Sequence, residues 1–242
     1  MREILKEAVR IPHLRAGFMT NAMLLDEDWA RFLVNLPIAW IAFSVDGVKP
    51  ETNDAVRRGA KLETIEKNIY RFLEYQAKTS SHLEVSFNMV AYPFIDDEEI
   101  KNYIKKWAPY ATSIIISRFR PVPSKRILRK EEREKLRHHA CPLPFRQMVI
   151  GWDGRVGLCC EDIFLESPLG NILKKSLLDI FNDTPFKRVR RLHQKKKMEK
   201  IVLCRECDVW AAEDVLQEEE ISLDGIRFLV QHRPSGRIYR RM

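Results

Sequence analysis

The cysteines limit most strongly what this chain can fold into, because all five lie in its second half. They follow the pattern C-x17-C-C-x43-C-x2-C and stand at Cys141, Cys159, Cys160, Cys204 and Cys207. Residues 1–140 contain no cysteine. Thiols that are confined to one segment and end in C-x2-C usually hold a metal ion or an iron–sulfur cluster. The pattern therefore predicts a metal-binding or cluster-binding segment in the second half.

The composition favours a globular protein of one large domain, or of one medium and one small domain. The chain has 242 residues, of which 45% are hydrophobic and 31% charged, enough to bury a sizeable core. Its longest apolar runs fall short of the roughly 20 residues that a membrane helix needs. Residues 1–7 predict an amphipathic helix rather than a signal peptide. We therefore expect a cytoplasmic protein with reduced thiols and no membrane association. The net charge of +8 allows an anionic ligand or partner, but a nucleic-acid partner is not expected.

The first 120 residues alternate predicted strands and helices. The predicted strands are residues 14–19, 38–43, 83–90 and 113–119, and the predicted helices are residues 26–36, 62–76 and 96–107. Repeated units of this length predict an α/β fold with a parallel sheet or an incomplete barrel. Ligands of such folds bind at the carboxyl ends of the strands. These ends carry Thr20, Asn21, Ser44, Asp46, Asn88 and Arg118.

The cysteine segment resembles the SPASM/twitch domain of radical SAM enzymes. The resemblance lies in Cys141-Pro142-Leu143-Pro144-Phe145, Trp152-Asp153-Gly154 with Cys159-Cys160, Leu169-Gly170-Asn171-Ile172, and the close from Cys204 to Trp210. It implies that Cys141, Cys159, Cys204 and Cys207 ligate one [4Fe-4S] cluster, since four or five cysteines suffice for the single-cluster twitch layout. The family spacing Gly154-x4-Cys159 selects Cys159, so Cys160 is expected to be a buried neighbour, or else the alternate ligand. Structural zinc is the rival for the same four thiolates, and Asp153-Gly154 is expected to form a turn between two short strands.

The first region resembles the later strands of a radical SAM partial barrel. Thr20-Asn21 is similar to the family's T-N-G turn with Ala22 replacing glycine, and Ser44-Val45-Asp46-Gly47 with Arg57-Arg58-Gly59 is similar to its S-x-D-G…R-G element. Asn68-Ile69 fits the helix that follows. The resemblance implies that Ser44, Arg58 and Asn88 are candidate contacts of S-adenosylmethionine (SAM). A helix cap and a surface arginine are the alternative interpretation of Ser44 and Arg58.

Two family elements are missing from this sequence: the C-x3-C-x2-C motif of the catalytic cluster and the G-G-E-P motif that contacts SAM. We therefore expect residues 1–120 to be a truncated partial barrel, followed by a linker helix at 121–140, a SPASM/twitch domain at 141–210 and a tail at 211–242. The resemblance implies the C-terminal portion of a radical SAM oxidoreductase or maturase that cannot cleave SAM alone. The expected partner is a separately encoded N-terminal segment, or another copy bound at an exposed sheet edge. The alternative is a non-catalytic iron–sulfur protein for electron transfer or partner binding.

Overall fold

The computed structural model describes residues 1–79, 82–121, 127–136 and 139–242, and only the backbone of residues 133–135. Residues 122–126 and 137–138 of the predicted linker therefore lie outside the described residues. The chain divides into two compact units. The first comprises Met1–Phe119 and Val215–Met242, and the second comprises Arg120–Asp214.

The elements are numbered along the chain. The helices are α1 (Arg2–Arg10), α2 (Glu27–Val34), α3 (Pro50–Val56), α4 (Leu62–Ala77), α5 (Asp97–Trp107), α6 (Lys130–Lys135), α7 (Leu143–Arg146), α8 (Leu177–Phe181) and α9 (Thr184–Gln194). The strands are β1 (Gly17–Thr20), β2 (Trp40–Ser44), β3 (Glu84–Ala91), β4 (Ser113–Arg118), β5 (Val149–Ile150), β6 (Arg155–Gly157), β7 (Gly170–Asn171), β8 (Gln217–Leu223), β9 (Ile226–Arg233) and β10 (Gly236–Arg241). Among the described residues, no helix is both long enough and apolar enough to cross a bilayer.

The first unit is built on one sheet with the strand order β1-β2-β3-β4-β10-β9-β8. Strands β1 to β4 pair in parallel, whereas β10, β9 and β8 are antiparallel to their neighbours. The predicted α/β class with a parallel sheet is therefore confirmed. The described strands do not close into a barrel, and β1 and β8 form the two edges.

One face of the parallel strands is covered by helices because alternate residues of each strand are large and apolar. Phe43 of β2 and Phe87 of β3 are fully buried. Phe43 meets Phe72 of α4 edge to face, with ring centroids 5.5 Å apart. Phe87 stacks on Trp107 of α5 at 4.3 Å. Offset and edge-to-face aromatic pairs add to the free energy gained from burial, so these pairs help to hold α4 and α5 against the sheet.

The tail, for which the sequence analysis predicted no structure, forms three strands of the same sheet. Strand β10 pairs with β4, with Tyr239 opposite Ile114. Strands β8 and β9 are joined by Asp224-Gly225, and both residues have positive φ, 50° and 82°. A two-residue Asp-Gly loop of this kind is strongly preferred in β-hairpins, because positive φ at both central residues matches the strand twist. Residues 215–242 of the tail therefore belong to the first unit, whereas residues 211–214 belong to the second.

The second unit consists of short helices and a small antiparallel sheet in the order β5-β6-β7. Asp153-Gly154 forms the predicted turn between β5 and β6, and Gly154 has a φ of 83°. Helix α9 begins after Asp183, whose carboxylate accepts a hydrogen bond from the Thr184 backbone N–H at 2.7 Å. The buried apolar residues of this unit form three small clusters instead of one continuous core.

Candidate metal centre and strand-end site

Four of the five cysteines line one small cavity in the second unit. Cys141, Cys159, Cys204 and Cys207 share a cavity of about 20 Å³. The other walls are mainly apolar and include Leu143, Leu158, Leu203, Val209 and Trp210. Segments that are far apart in sequence thus bring four cysteines to one mainly apolar cavity. These are the four cysteines that the resemblance assigns as ligands.

Short turns at the end of the cysteine pattern position the C-x2-C pair. The Cys207 backbone N–H donates to the Cys204 carbonyl at 3.2 Å, and the Cys204 N–H donates to the Ile201 carbonyl at 2.9 Å. On the other side, the Cys159 carbonyl accepts from the Asp162 N–H at 3.1 Å just after β6. These tight turns place cysteines of separate segments on one cavity wall.

Burial makes these thiols hard to ionise in the absence of a cation. It raises the pKa of Cys159 to about 12 and the pKa of Cys207 to about 11, and it also raises the pKa of Cys141. Neighbouring thiols add to each of these shifts. A buried thiolate set needs a compensating positive charge. The chemistry of these donors suits a thiolate-bound metal centre, since zinc and iron–sulfur sites both use cysteine thiolates.

Among the described residues, no group of three or more His, Cys, Asp or Glu side chains is close enough to hold a single metal ion. The case for a metal centre at this place therefore rests on the shared cavity and on the chemistry of its donors.

Cys160 differs from its neighbour in sequence. The expectation of a buried Cys160 was wrong: this residue is exposed, and it does not line the cavity, whereas Cys159 is buried and does. Only one of the two adjacent side chains reaches the cavity. The Cys160 thiol lies 3.9 Å from Glu161 Oε1, and partial desolvation together with that carboxylate raises the pKa of Cys160.

Polar residues that the sequence analysis missed also surround this cavity. Glu161 and His193 line it and are 9% and 3% exposed. Arg120 donates to both carboxylate oxygens of Glu161, with two N–O distances of 2.6 Å. The position of Glu161 directly after Cys159-Cys160 was the available signal. No sequence signal identifies Arg120 or His193, because only the tertiary structure brings them to the site.

The carboxyl ends of β2 and β3 bring two of the candidate SAM contacts together. Ser44 and Asn88 are register partners on neighbouring strands, and both are half-buried. Asn88 Oδ1 is buried and has no hydrogen-bond partner among the described residues. A buried acceptor that is left unsatisfied costs free energy, so it offers a ligand a hydrogen-bond acceptor.

Arg57, rather than Arg58, reaches the strand ends. Arg58 is exposed, whereas the Arg57 guanidinium lies 2.9 Å from the buried Asp46 carboxylate. Burial raises the pKa of Asp46, while a hydrogen bond from the Val90 N–H and the charge of Arg57 oppose that shift. Arg57 therefore pairs with the acid of the loop after β2, and the SAM contact expected of Arg58 stays a prediction.

The turn after β1 has the backbone shape that glycine favours. Ala22 stands at a φ of 57°, in the left-handed region. Its N–H donates to Thr20 Oγ1 at 3.1 Å. Asn68 of α4 holds the other side, since its Nδ2 donates to the carbonyls of Ala22 and Met23 at 2.9 and 3.2 Å. Thr20-Asn21 and Asn68, which resemble two separate family elements, are thus joined by hydrogen bonds in a single turn.

Two family models match the chain. Residues 1–106 match the radical SAM superfamily, and residues 141–208 match SPASM, an iron-sulfur cluster-binding domain. The chain is a radical SAM protein with a SPASM domain. The metal cavity lies within the SPASM match, and the strand ends that carry Ser44 and Asn88 lie within the radical SAM match.

The chain spans only part of the length of the proteins that it matches. An uncharacterized protein of Treponema pallidum (strain Nichols) is 23% identical over 227 residues, which is 85% of this chain and 59% of that protein. The chain thus spans less than two thirds of the length of this relative. Streptococcus suis SuiB bound to S-adenosylmethionine has a TM-score of 0.61 at 14% identity, over 78% of this chain and 52% of SuiB. Histidine-tagged anSMEcpe with bound AdoMet has a TM-score of 0.55 at 16% identity, over 82% of this chain and 64% of that chain. At these identities the two structures show a shared fold.

Proposed function

We propose that Cys141, Cys159, Cys204 and Cys207 bind one [4Fe-4S] cluster. The observation that carries the proposal is that these four thiols line one apolar cavity within the SPASM match. A bound cluster would supply a site for storing and passing single electrons. Around it, the chain would contribute four thiolate ligands and an apolar wall that keeps water away.

The broader proposal is that the chain acts as the C-terminal portion of a radical SAM oxidoreductase or maturase in the cytoplasm. Ser44, Arg58 and Asn88 are the proposed contacts of SAM. The buried acceptor Asn88 Oδ1 supports this assignment, because an unsatisfied amide oxygen suits the amino group of an amino acid.

We propose further that this chain does not cleave SAM by itself. Reductive cleavage needs a cluster with one iron open to SAM, and residues 1–140 contain no cysteine to ligate it. SAM would become a working cofactor only where residues outside this sequence supply that cluster. The parallel edge strand β1, which pairs on one side only, is the proposed place for a separately encoded N-terminal segment or a second copy, because its unpaired backbone groups can extend the sheet.

The second candidate is a non-catalytic iron–sulfur protein that transfers electrons or binds a partner. The lack of thiols in the first unit favours it. A protein with structural zinc in place of the cluster is the third candidate, since four thiolates also suit a tetrahedral ion.

Metal and sulfide analysis of the anaerobically purified chain separates the cluster from zinc. We expect about four iron and four sulfide ions per chain, as a cubane cluster requires. The matched control is Cys160→Ser, whose thiol does not line the cavity, and this variant should keep its iron. One zinc ion without sulfide would overturn the cluster proposal.

Product analysis separates the enzyme fragment from the electron carrier. The reduced chain with SAM should form no 5′-deoxyadenosine above background. Addition of an N-terminal radical SAM segment from the same genome should restore its formation, and Asn88→Ala should weaken that restored activity. Formation of 5′-deoxyadenosine by the chain alone would contradict the proposed dependence on a second segment.

A further inference from the structure

A buried ion pair stands beside the cysteine cavity. The Arg120 guanidinium donates to both oxygens of the Glu161 carboxylate, at 2.6 Å each. The Glu161 side chain is 7% exposed and the Arg120 side chain 33%. Two parallel hydrogen bonds of this kind fix both position and charge. Both residues belong to the second unit.

The geometry gives Glu161 a role other than that of a metal ligand. Glu161 lines the cavity, yet both of its carboxylate oxygens already accept from Arg120. The carboxylate is therefore held as a fixed negative charge beside the thiols. Glu161 follows Cys159 by two residues and lines the same cavity, so its charge lies beside the thiols.

Arg120 carries the opposite charge to the same place. The thiols of Cys207 and Cys160 contribute to raising the pKa of Arg120, after its hydrogen bonds to Glu161. The guanidinium does not line the cavity itself, but its two hydrogen bonds hold it against Glu161, which does. A buried ion pair adds little to stability over an apolar pair of the same size, so its placement calls for another explanation.

We propose that Arg120 and Glu161 set the reduction potential of the metal centre, Arg120 raising it and Glu161 lowering it. The inference rests on the proposed iron–sulfur cluster. Reduction adds one negative charge to a cluster, and the potential depends on the charges around it. A nearby carboxylate opposes that electron and a guanidinium favours it, more strongly in a site of low dielectric. Neither residue is a ligand; both act through the field at the cluster.

The test is an anaerobic redox titration of the full chain loaded with its cluster. Glu161→Gln should raise the potential, so that the ratio of reduced to oxidised cluster at a fixed potential grows about tenfold, equal to about 59 mV for one electron. Arg120→Gln should lower this ratio by a similar factor. The double variant should return close to the wild type. Lys175→Gln is the matched control: it breaks the ion pair with Asp183 in the same unit, away from the cavity lining, and should not shift the potential.

Iron and sulfide content, measured first, keeps the outcomes distinct. A wild-type chain that binds no cluster overturns the proposed function itself. A loaded chain whose two single variants shift the potential in the same direction, or do not shift it, overturns this inference alone. If Arg120→Gln loses its iron, Glu161→Gln decides, because it removes the buried charge and leaves Arg120 partly exposed. A downward or absent shift in that variant then refutes the proposal.

Discussion

The two units of this chain are stabilised in different ways. The first unit holds one large buried cluster in which aromatic residues of the sheet and helices interlock. The second has three small clusters, and cysteines belong to two of them or pack against them. A unit with little continuous core usually depends on disulfides or a metal for its fold. From this comparison we expect the first unit to fold on its own core and the second to depend on the proposed metal centre.

Removal of one proposed cluster ligand is the strongest test of this difference between the two units. Cys204→Ala should abolish iron binding and unfold the second unit, because metal-binding free energies on the order of 10 kcal/mol are coupled to folding in such domains. Hydrogen exchange should then show lost protection in residues 120–214 and unchanged protection in the first unit.

The exposed Cys160 provides the control for that experiment. Cys160→Ala should retain both iron and protection. Protection of residues 120–214 that survives in the iron-free Cys204→Ala variant would show that the second unit folds without its metal centre.

The next largest effect tests the first unit. Phe43→Ala removes a fully buried ring that contacts Phe72 and Phe87, and should lower the free energy of unfolding by about 3–5 kcal/mol. Iron content should not change. Leu24→Ala, at a residue that is 85% exposed, should change stability by less than about 0.5 kcal/mol. Urea denaturation followed by tryptophan fluorescence measures both variants, and loss of iron in Phe43→Ala would contradict the independence of the two units.

The sequence predicted the first unit best where hydrophobic runs are long. The strand expected at 38–43 is observed at Trp40–Ser44, and the helix expected at 62–76 is observed at Leu62–Ala77. The tail escaped prediction because charged residues of β8, among them Glu218–Glu220, obscure its alternation. The hairpin signal was nonetheless present in Asp224-Gly225, which is flanked by apolar residues.

The metal cavity was predictable in its ligands but not in its surroundings. The resemblance to the SPASM domain selects the thiols that come together, whereas His193 in the cavity lining and Arg120 beside Glu161 are placed only by the tertiary fold. The ion pair between Arg57 and Asp46 could not be predicted from the sequence either, because Arg57 and Arg58 are adjacent and only the structure shows which of them contacts the carboxylate. Sequence patterns thus predict which side chains can donate to a metal, whereas the charges around the site are known only from the structure.

A smaller effect concerns the turn that joins β1 to the helical layer. Asn68→Ala removes the two hydrogen bonds to the carbonyls of Ala22 and Met23. Asn68 is 6% exposed, so those carbonyls lose buried partners, and stability should fall by about 1–3 kcal/mol. Asn35→Ala is a control, because its side-chain bond to the Arg31 carbonyl is exposed. Equal effects of the two variants in denaturant unfolding would show that the turn needs no buried anchor.

The smallest effect is expected at Ala22, where two contributions oppose each other. Its left-handed backbone costs a residue other than glycine about 1–2 kcal/mol, and Ala22→Gly relieves that cost. The same change removes a fully buried methyl group, worth about 0.8 kcal/mol, and adds about 0.5–1 kcal/mol of backbone entropy to the unfolded chain. Because these contributions nearly cancel, the free energy of unfolding of Ala22→Gly should stay within about 1 kcal/mol of the wild-type value. Ala22→Val should destabilise clearly, since a β-branched residue tolerates positive φ poorly. Denaturant unfolding of both variants measures the balance, and a Val variant as stable as the wild type would show that the turn relaxes out of the left-handed conformation.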